Sequence, residues 1–374
     1  MNLISPSWKR MRYRATAQVK IDVVKNNYNY IQSLTHSKIM AVVKADAYGH
    51  GAERIAKELS ALGCNDFAVA CLSEAEHLRN CGINGNILIL SPTDESMVSL
   101  ITEGNFIQTT DSYEYSKALS DHGKIRVHIK VDTGMSRIGI YCHSFEDIPN
   151  AANEIERISK LENVSVEGIF THFADSDSND SSFTQQQFSV FKALLEELEK
   201  RKVNVGTRHC CNSAATLNYP EMHLDMVRAG IILYGLMPSE YCKDKNILPA
   251  IKFSARVCAV HQLKKGDCVS YGCTYTAERD TRVAVVSIGY ADGFSRVYSG
   301  KEIMRINGKR FATVGKICMD LCVVDIGPDF PCKVGDEAVI FENADGIKLL
   351  ADAMGTINYE ILCSLKHRVL LEYI

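Results

Sequence analysis

The apolar run Ile39-Met-Ala-Val-Val43 ends on Lys44 and then breaks into Ala45-Asp-Ala-Tyr48-Gly-His-Gly51. A lysine delivered to the carboxyl end of a buried strand is desolvated by the walls around it, which lowers its pKa. The neutral amine can then attack a carbonyl, including a cofactor aldehyde, to form a Schiff base. A solvated lysine at a strand end has the same local pattern, so the rest of the chain decides between the two. Other residues able to do chemistry also close apolar runs: Lys130-Val-Asp132-Thr-Gly-Met-Ser-Arg137, Thr171-His172, Asn212-Ser213 and Arg228-Ala-Gly230-Ile231. A single histidine in such a place is ordinarily a satisfied structural residue. Their shared position, after strand upon strand, is what carries information.

The elements that must position them alternate. Between residues 38 and 235, apolar runs at 38–43, 67–71, 86–90, 106–110, 126–131, 166–172, 206–210 and 226–234 are separated by amphipathic stretches such as 73–80 and 184–201. Such alternation predicts parallel strands joined by crossover helices. Eight of them predict an α/β fold, a closed (β/α)8 TIM-type barrel, with the active groups at the carboxyl ends of the strands. A doubly wound sheet lacks support, because no G-x-G-x-x-G follows the first strand. Beyond about residue 246 the runs become short and rich in β-branched residues, at 257–263, 268–271, 282–288, 302–306, 310–314, 321–326 and 338–341. Ile306-Asn307-Gly308-Lys309 predicts a type I′ hairpin. The expected organisation is a lead over residues 1–11, a cofactor-binding barrel over 12–246, and a mostly β domain over 247–374 closed by a helix-like tail near 348–354.

Composition narrows the function. The 374 residues carry a net charge of -3 and 46% hydrophobic residues, which gives a large core and no electrostatic reason to bind nucleic acid. Fourteen cysteines include no C-x-x-C, and Cys210-Cys211 are adjacent. That suits neither a zinc framework nor a disulfide scaffold, so no metal is expected, and free thiols in a reducing cytoplasm are the simpler account. No run reaches the ~20 apolar residues that span a bilayer. The basic lead Met1-Asn-Leu-Ile-Ser-Pro-Ser-Trp8-Lys-Arg-Met-Arg12 reads either as a frayed terminus or as the cytoplasmic stub of an upstream membrane segment.

Gly230 and Ile231 follow a basic strand end, where barrels form phosphate sites from backbone N–H groups. A phosphate there, a Schiff-base lysine across the rim and no dinucleotide motif point to pyridoxal 5′-phosphate, an electron sink for carbanions.

With these motifs in place, the chain resembles the alanine racemase family from about Arg14 to its end. The resemblance rests on residues 42–51, residues 130–139, Thr171-His172-Phe173, Arg228-Ala-Gly-Ile-Ile-Leu-Tyr-Gly235, Ser270-Tyr271-Gly272, Ile288-Gly-Tyr290-Ala-Asp-Gly293, Cys318-Met319-Asp320 and Thr356-Ile-Asn-Tyr359-Glu360. It implies that Lys44 carries the cofactor and is one of two bases. Tyr271 would be the second, reaching the opposite face of the substrate from the partner subunit of a head-to-tail homodimer. A phenol is a poor base in water, so neighbouring cations or His172 would have to stabilise its anion. Phosphate contacts would come from Tyr48, Ser213, Gly230, Ile231 and Tyr359, with His172 and Asn212 also lining the cofactor. Arg228 would face the pyridine nitrogen. Arg137 and the backbone N–H of Met319 would hold the substrate carboxylate, and Lys130 would be carbamylated to steady Arg137. Asp177, Tyr290, Arg296 and Ile357 resemble an access passage, where Lys316 stands in place of the arginine of some relatives.

The resemblance thus implies a racemase interconverting L- and D-alanine in the cytoplasm for peptidoglycan. A serine or serine/alanine racemase, the cytoplasmic domain of a membrane-anchored protein linked to glycopeptide resistance, is the close alternative. A non-catalytic pyridoxal-phosphate carrier is disfavoured by the β domain. A basic amino-acid decarboxylase is disfavoured by the contexts of Tyr271 and Tyr359.

Overall fold

A computed structural model describes residues 14–374. Its first strand, β1 (Ala15–Val19), pairs antiparallel with Ile251–Leu263 and parallel with Leu370–Tyr373, so it belongs to the β unit. That corrects the boundary expected at residue 12. The chain divides into a unit made of residues 14–23 with Pro249–Ile374, and a barrel unit, Val24–Leu248. The alternating burial of β1 predicts a strand, but nothing local announces a parallel partner at the far end of the chain. The lead over residues 1–11 lies outside the described residues.

In the barrel unit, β2 (Lys38–Val42), β3 (Asp66–Val69), β4 (Asn86–Ile89), β5 (Ile107–Thr110), β6 (Ile125–Asp132), β7 (Val164–Phe170), β8 (Thr207–His209) and β9 (Met226–Ala229) are hydrogen-bonded in the order β5-β4-β3-β2-β9-β8-β7-β6, and β6 pairs back onto β5. The expected closed eight-stranded parallel barrel is therefore present. β8 is shorter than the run 206–210 suggested. Its strands are covered on both faces and read as continuous apolar runs: Ile39 to Val42 are all buried. The helix Ser182–Lys200 turns Val190, Phe191, Leu194 and Leu198 inward at 3–4-residue spacing. Each such side chain contributes roughly 1.5–3 kcal/mol through burial.

In the β unit, β10 (Ile251–Leu263) is long enough to serve several partners. Register shifts at Phe253/Ser254 and Val257/Ala259 let it pair with β1, with β11 (Thr281–Val286) and with Glu337–Phe341. β12 (Glu302–Ile306) and β13 (Lys309–Ala312) form the predicted hairpin, with Asn307 at φ 46° and Gly308 at φ 82°, the two positive angles of a type I′ turn. β14 (Cys322–Asp325) joins β11, and β15 (Glu337–Phe341) joins β10 and β12. The expected tail helix starts earlier, at Ala344, capped by Asn343, whose side chain accepts from Gly346 N at 2.9 Å. It is followed by the helix Asn358–Cys363 and the closing strand β16 (Leu370–Tyr373), neither of which was expected.

All fourteen cysteines are free thiols. Among the described residues, no helix is long and apolar enough to cross a membrane.

Candidate active site

Strand β2 stops at Val42, Val43 N still donates to Ala68 O on the neighbouring side at 2.9 Å, and Lys44 follows at the barrel's carboxyl rim. The next four residues do not form the punctuated loop that the glycines suggested. Ala45, Asp46, Ala47 and Tyr48 all lie between φ 51° and 54°, a left-handed helical turn built without glycine. Such a conformation costs roughly 1–2 kcal/mol per residue, so other contacts must hold it. Glu74 does so from a distance, accepting from Ala45 N at 2.8 Å through one oxygen and from Ala70 N at 2.7 Å through the other. Asp46 accepts from Ala52 N at 2.7 Å. Buried His50 donates Nδ1–H towards the carbonyls of Tyr48 at 2.9 Å and Ala47 at 3.1 Å, and its Nε2 is left without a partner.

This turn sends Tyr48 inward. Its ring packs 5.1 Å from that of Tyr234, whose hydroxyl donates to Val42 O at 2.9 Å. Tyr48 ends beside Gly230: a Cβ placed on Gly230 would lie 2.9 Å from the Tyr48 hydroxyl and 3.6 Å from Ser213 Oγ. Gly230 N donates to Ser213 Oγ at 2.9 Å. Two hydroxyls and the backbone entering Ile231–Tyr234 thus converge on one point, which only glycine leaves open. Asn212 holds this corner rather than facing it with its carboxamide oxygen, which accepts from Ala215 N and Ser176 Oγ, both at 2.9 Å.

Beneath the rim a chain of nitrogens runs through the barrel. Arg228 is buried and donates to Thr171 O at 2.9 Å and Cys210 O at 3.0 Å; it also reaches His172 Nδ1 at 3.0 Å and His209 Nδ1 at 2.9 Å. A guanidinium only donates. Both imidazoles must therefore present a lone pair at Nδ1 and stay neutral. His209 Nε2–H is then left to donate to His128 Nδ1 at 3.0 Å, which fixes a third tautomer. Phe170 lies flat on His209, with ring centroids 4.8 Å apart. Gly168 has to be glycine here, because a Cβ would stand 2.6 Å from the His128 ring.

The electrostatics follow. Desolvation, then the cations Arg228, Lys130, Arg137 and Lys44, hold His172 well below its ordinary range. Desolvation and Arg228 do the same to His209. Burial draws Arg228 down to about 10, which leaves it cationic at neutral pH. Lys130, buried with Nζ donating to Val131 O at 2.8 Å, is drawn to about 7 by burial first and Arg228 second. Arg137 itself stands exposed on a loop that Asp132 shapes by accepting from Gly134, Met135 and Ser136 N–H groups at 2.9–3.1 Å. Asp177 sits on the long loop before the helix Ser182–Lys200, its carbonyl accepting from Ser239 Oγ.

These buried histidines give the barrel an acid limit. Desolvation lowers His50 and His128 from 6.5 to about 4, so above pH 6.5 neither state binds the proton, and below it only the unfolded chain does. Stability should fall as pH drops from 6.5 towards 4, by up to roughly 3 kcal/mol for each of the two. Urea midpoints at pH 7, 5.5 and 4.5 measure it, and a flat series would contradict the assignment.

In the β unit, Tyr271 is 72% exposed on a turn with positive φ at Ser270, Gly272 and Cys273. Ser270 Oγ donates to Lys316 O, tying this turn to the segment that leads to Met319. Met319 O accepts from Ala291 N at 3.1 Å and Cys318 O from Tyr290 N at 3.2 Å. Ile317 N reaches Ser299 Oγ, at the end of the turn Arg296–Tyr298, at 3.0 Å. One side of this unit therefore gathers Tyr271, Tyr290, Arg296 and Met319, all exposed. Arg368 braces it, bridging Asp292 at 3.2 Å and Asp320 at 2.7 Å. Ile357, exposed, and Tyr359, half-buried, lie at the start of the helix Asn358–Cys363. Glu74, His128, His209 and Arg368 were not singled out in the sequence. Only His128 and His209, inside the expected strands 126–131 and 206–210, carried a local signal.

The pattern of the alanine racemase N-terminal domain matches residues 19–238, and that of the alanine racemase C-terminal domain matches residues 250–373. The chain belongs to the alanine racemase family. It is 41% identical to an alanine racemase of Clostridium perfringens, across 94% of this chain and 93% of the relative. Among solved structures it superposes on alanine racemase of Clostridium difficile 630 with a TM-score of 0.91, 36% identity and 96% coverage of each chain. The Bacillus anthracis alanine racemase crystallised with bound L-Ala-P gives 0.89, with 31% identity and 97% and 95% coverage. As a member of this family the protein is an isomerase, a pyridoxal-phosphate-dependent racemase. The residues present fit that cofactor: the convergence of Tyr48, Ser213 and Gly230 suits a phosphate, half-buried Lys44 stands at the same rim, and Arg228 is buried beneath it.

Proposed function

We propose that the protein interconverts L- and D-alanine by a two-base mechanism, with pyridoxal phosphate held by Lys44, Tyr48, Arg137, His172, Asn212, Ser213, Arg228, Gly230, Ile231 and Tyr359. The observation that carries this reading is one barrel end that combines a lysine after a strand, a corner of hydroxyls and backbone N–H at Gly230 and, beneath it, a buried arginine flanked by neutral histidines. Bound there, the cofactor supplies an electron sink for the negative charge left at the substrate Cα. Lys44 takes or returns the Cα proton on one face. Tyr271 does the same on the other face, from a second copy of the chain arranged head to tail, in keeping with its outward presentation on the β unit. Arg228, cationic and donating to neutral imidazoles, opposes protonation at whatever nitrogen faces it and so moderates the sink. Arg137 and Met319 N–H bind the substrate carboxylate. Asp177, Tyr290, Arg296 and Ile357 line its access.

Lys130 supports its own part of this reading. An amine drawn to about 7 is substantially neutral at physiological pH, the form that captures carbon dioxide as a carbamate with release of a proton. The carbamate would steady Arg137.

Alanine takes precedence over serine because the similar curated proteins are alanine racemases. The product would serve peptidoglycan synthesis in the cytoplasm. The test is racemisation of L-alanine and L-serine by the purified holoenzyme, read by circular dichroism. Turnover of alanine with a clearly higher kcat/KM than serine is expected. A serine preference would move the assignment to the serine enzyme, and no turnover of either would refute it.

A further inference from the structure

Away from the rim, the helices Ala52–Ala61 and Leu72–Asn80 place three chemically mixed side chains together. The side-chain ligand atoms of Glu53, His77 and Cys81 all lie within 4.8 Å of one another. His77 and Cys81 are four residues apart, on one face of a helix and its cap, and their Nε2 and Sγ are 3.9 Å apart. Glu53 comes from the neighbouring helix, at its first turn.

We propose that Glu53, His77 and Cys81 form a surface site for a borderline-soft divalent metal, with zinc its best-matched ion. Zinc takes carboxylate oxygen, imidazole nitrogen and thiolate sulfur at about 2.0–2.3 Å in a tetrahedron, which sets ligand atoms roughly 3.3–3.7 Å apart. His77 Nε2 and Cys81 Sγ, 3.9 Å apart, nearly meet that spacing, and no pair of the three ligand atoms is more than 4.8 Å apart. Glu53 and His77 are exposed and Cys81 is half-buried, so rotation of the two exposed side chains closes the gap without moving backbone. A water would complete the fourth position. The thiolate and imidazole exclude magnesium and calcium, which prefer all-oxygen sites. On binding, the Cys81 S–H bond breaks, the sulfur pair goes to the metal and the proton goes to solvent. Lys57 Nζ, now 2.6 Å from Glu53, is displaced from the carboxylate or shares it.

The location gives the site a consequence. The helix bearing His77 also carries Glu74, which holds Ala45 N, and the helix bearing Glu53 begins at Ala52, whose N–H is held by Asp46. A metal across the two helices would clamp both ends of the left-handed turn that follows Lys44.

The experiment titrates Zn2+ into the holoenzyme and into its Glu53→Gln, His77→Ala, Cys81→Ser and Cys71→Ser variants, with Co2+ as the spectroscopic probe. Wild type and Cys71→Ser, a control for an ordinary exposed thiol, should bind one equivalent and show the thiolate-to-cobalt absorption. Each ligand variant should bind at least roughly tenfold more weakly, because even the outer partners of metal ligands are worth about that much. Zn2+ should raise the melting temperature of wild type and leave that of His77→Ala unmoved. Equal binding by wild type and His77→Ala overturns the site, as does a loss confined to Cys81→Ser, which would mark a lone thiol. Failure of wild type to bind Zn2+ overturns it as well.

Discussion

Lys44→Ala should lose racemisation by at least ~10³-fold in both directions, through loss of one positioned acid–base group and of covalent anchorage together. The fold should survive. The left-handed turn after Lys44 is held through Glu74, Asp46 and His50, and none of those bonds involves the lysine side chain. The melting temperature should therefore stay close to that of wild type, while the visible absorbance of the bound cofactor disappears. Lys44→Arg separates the two contributions of the residue. It keeps a cation at the rim but removes an amine that can be neutral, so it should be as inactive as alanine while retaining some affinity for the free cofactor. Activity within tenfold of wild type in either variant would remove Lys44 from the chemistry.

Tyr271→Phe removes a single hydroxyl from an exposed side chain, so neither fold nor cofactor absorbance should change. Racemisation should fall by about 10²–10⁴-fold, the worth of one positioned proton donor or acceptor. The two-base arrangement makes a sharper demand. With one face intact, the variant should still exchange the Cα proton of one enantiomer with deuterated solvent, without inverting it, and should fail to exchange the other. Undiminished racemisation, or equal loss of exchange from both enantiomers, would assign the second face to a different residue. The same variant tests whether the site is shared between copies. Mixed with Lys44→Ala protein, it should regain part of its activity if Tyr271 of one copy serves Lys44 of another.

Much of this site was legible in the order of residues. Strand-period apolar runs ending on Lys44, Lys130, His172, Ser213 and Arg228 specify both a barrel and its functional rim, because a parallel barrel exposes only the strand ends to substrate. Asn307-Gly308 specified its hairpin by tolerating two positive φ angles. These are local signals, carried by residues a few positions apart.

What the tertiary structure alone decided depends on partners distant in the chain. The pairing of Thr16 with Leu370 draws the first strand into the β unit, and no spacing rule links those positions. Ala45 to Tyr48 contain no glycine to announce a left-handed turn; it exists because Glu74, on another helix, takes up the freed N–H of Ala45. Arg228 donates to both His172 and His209, which fixes both as neutral, and a hydrogen bond from His209 carries the tautomer on to His128, 81 residues away in the chain. Glu53 meets His77 and Cys81 in the same way. Sequence determined which side chains reach the rim of this barrel. Folding determined their protonation states and the strained turn beside Lys44, because desolvation and backbone satisfaction depend on every neighbour in space.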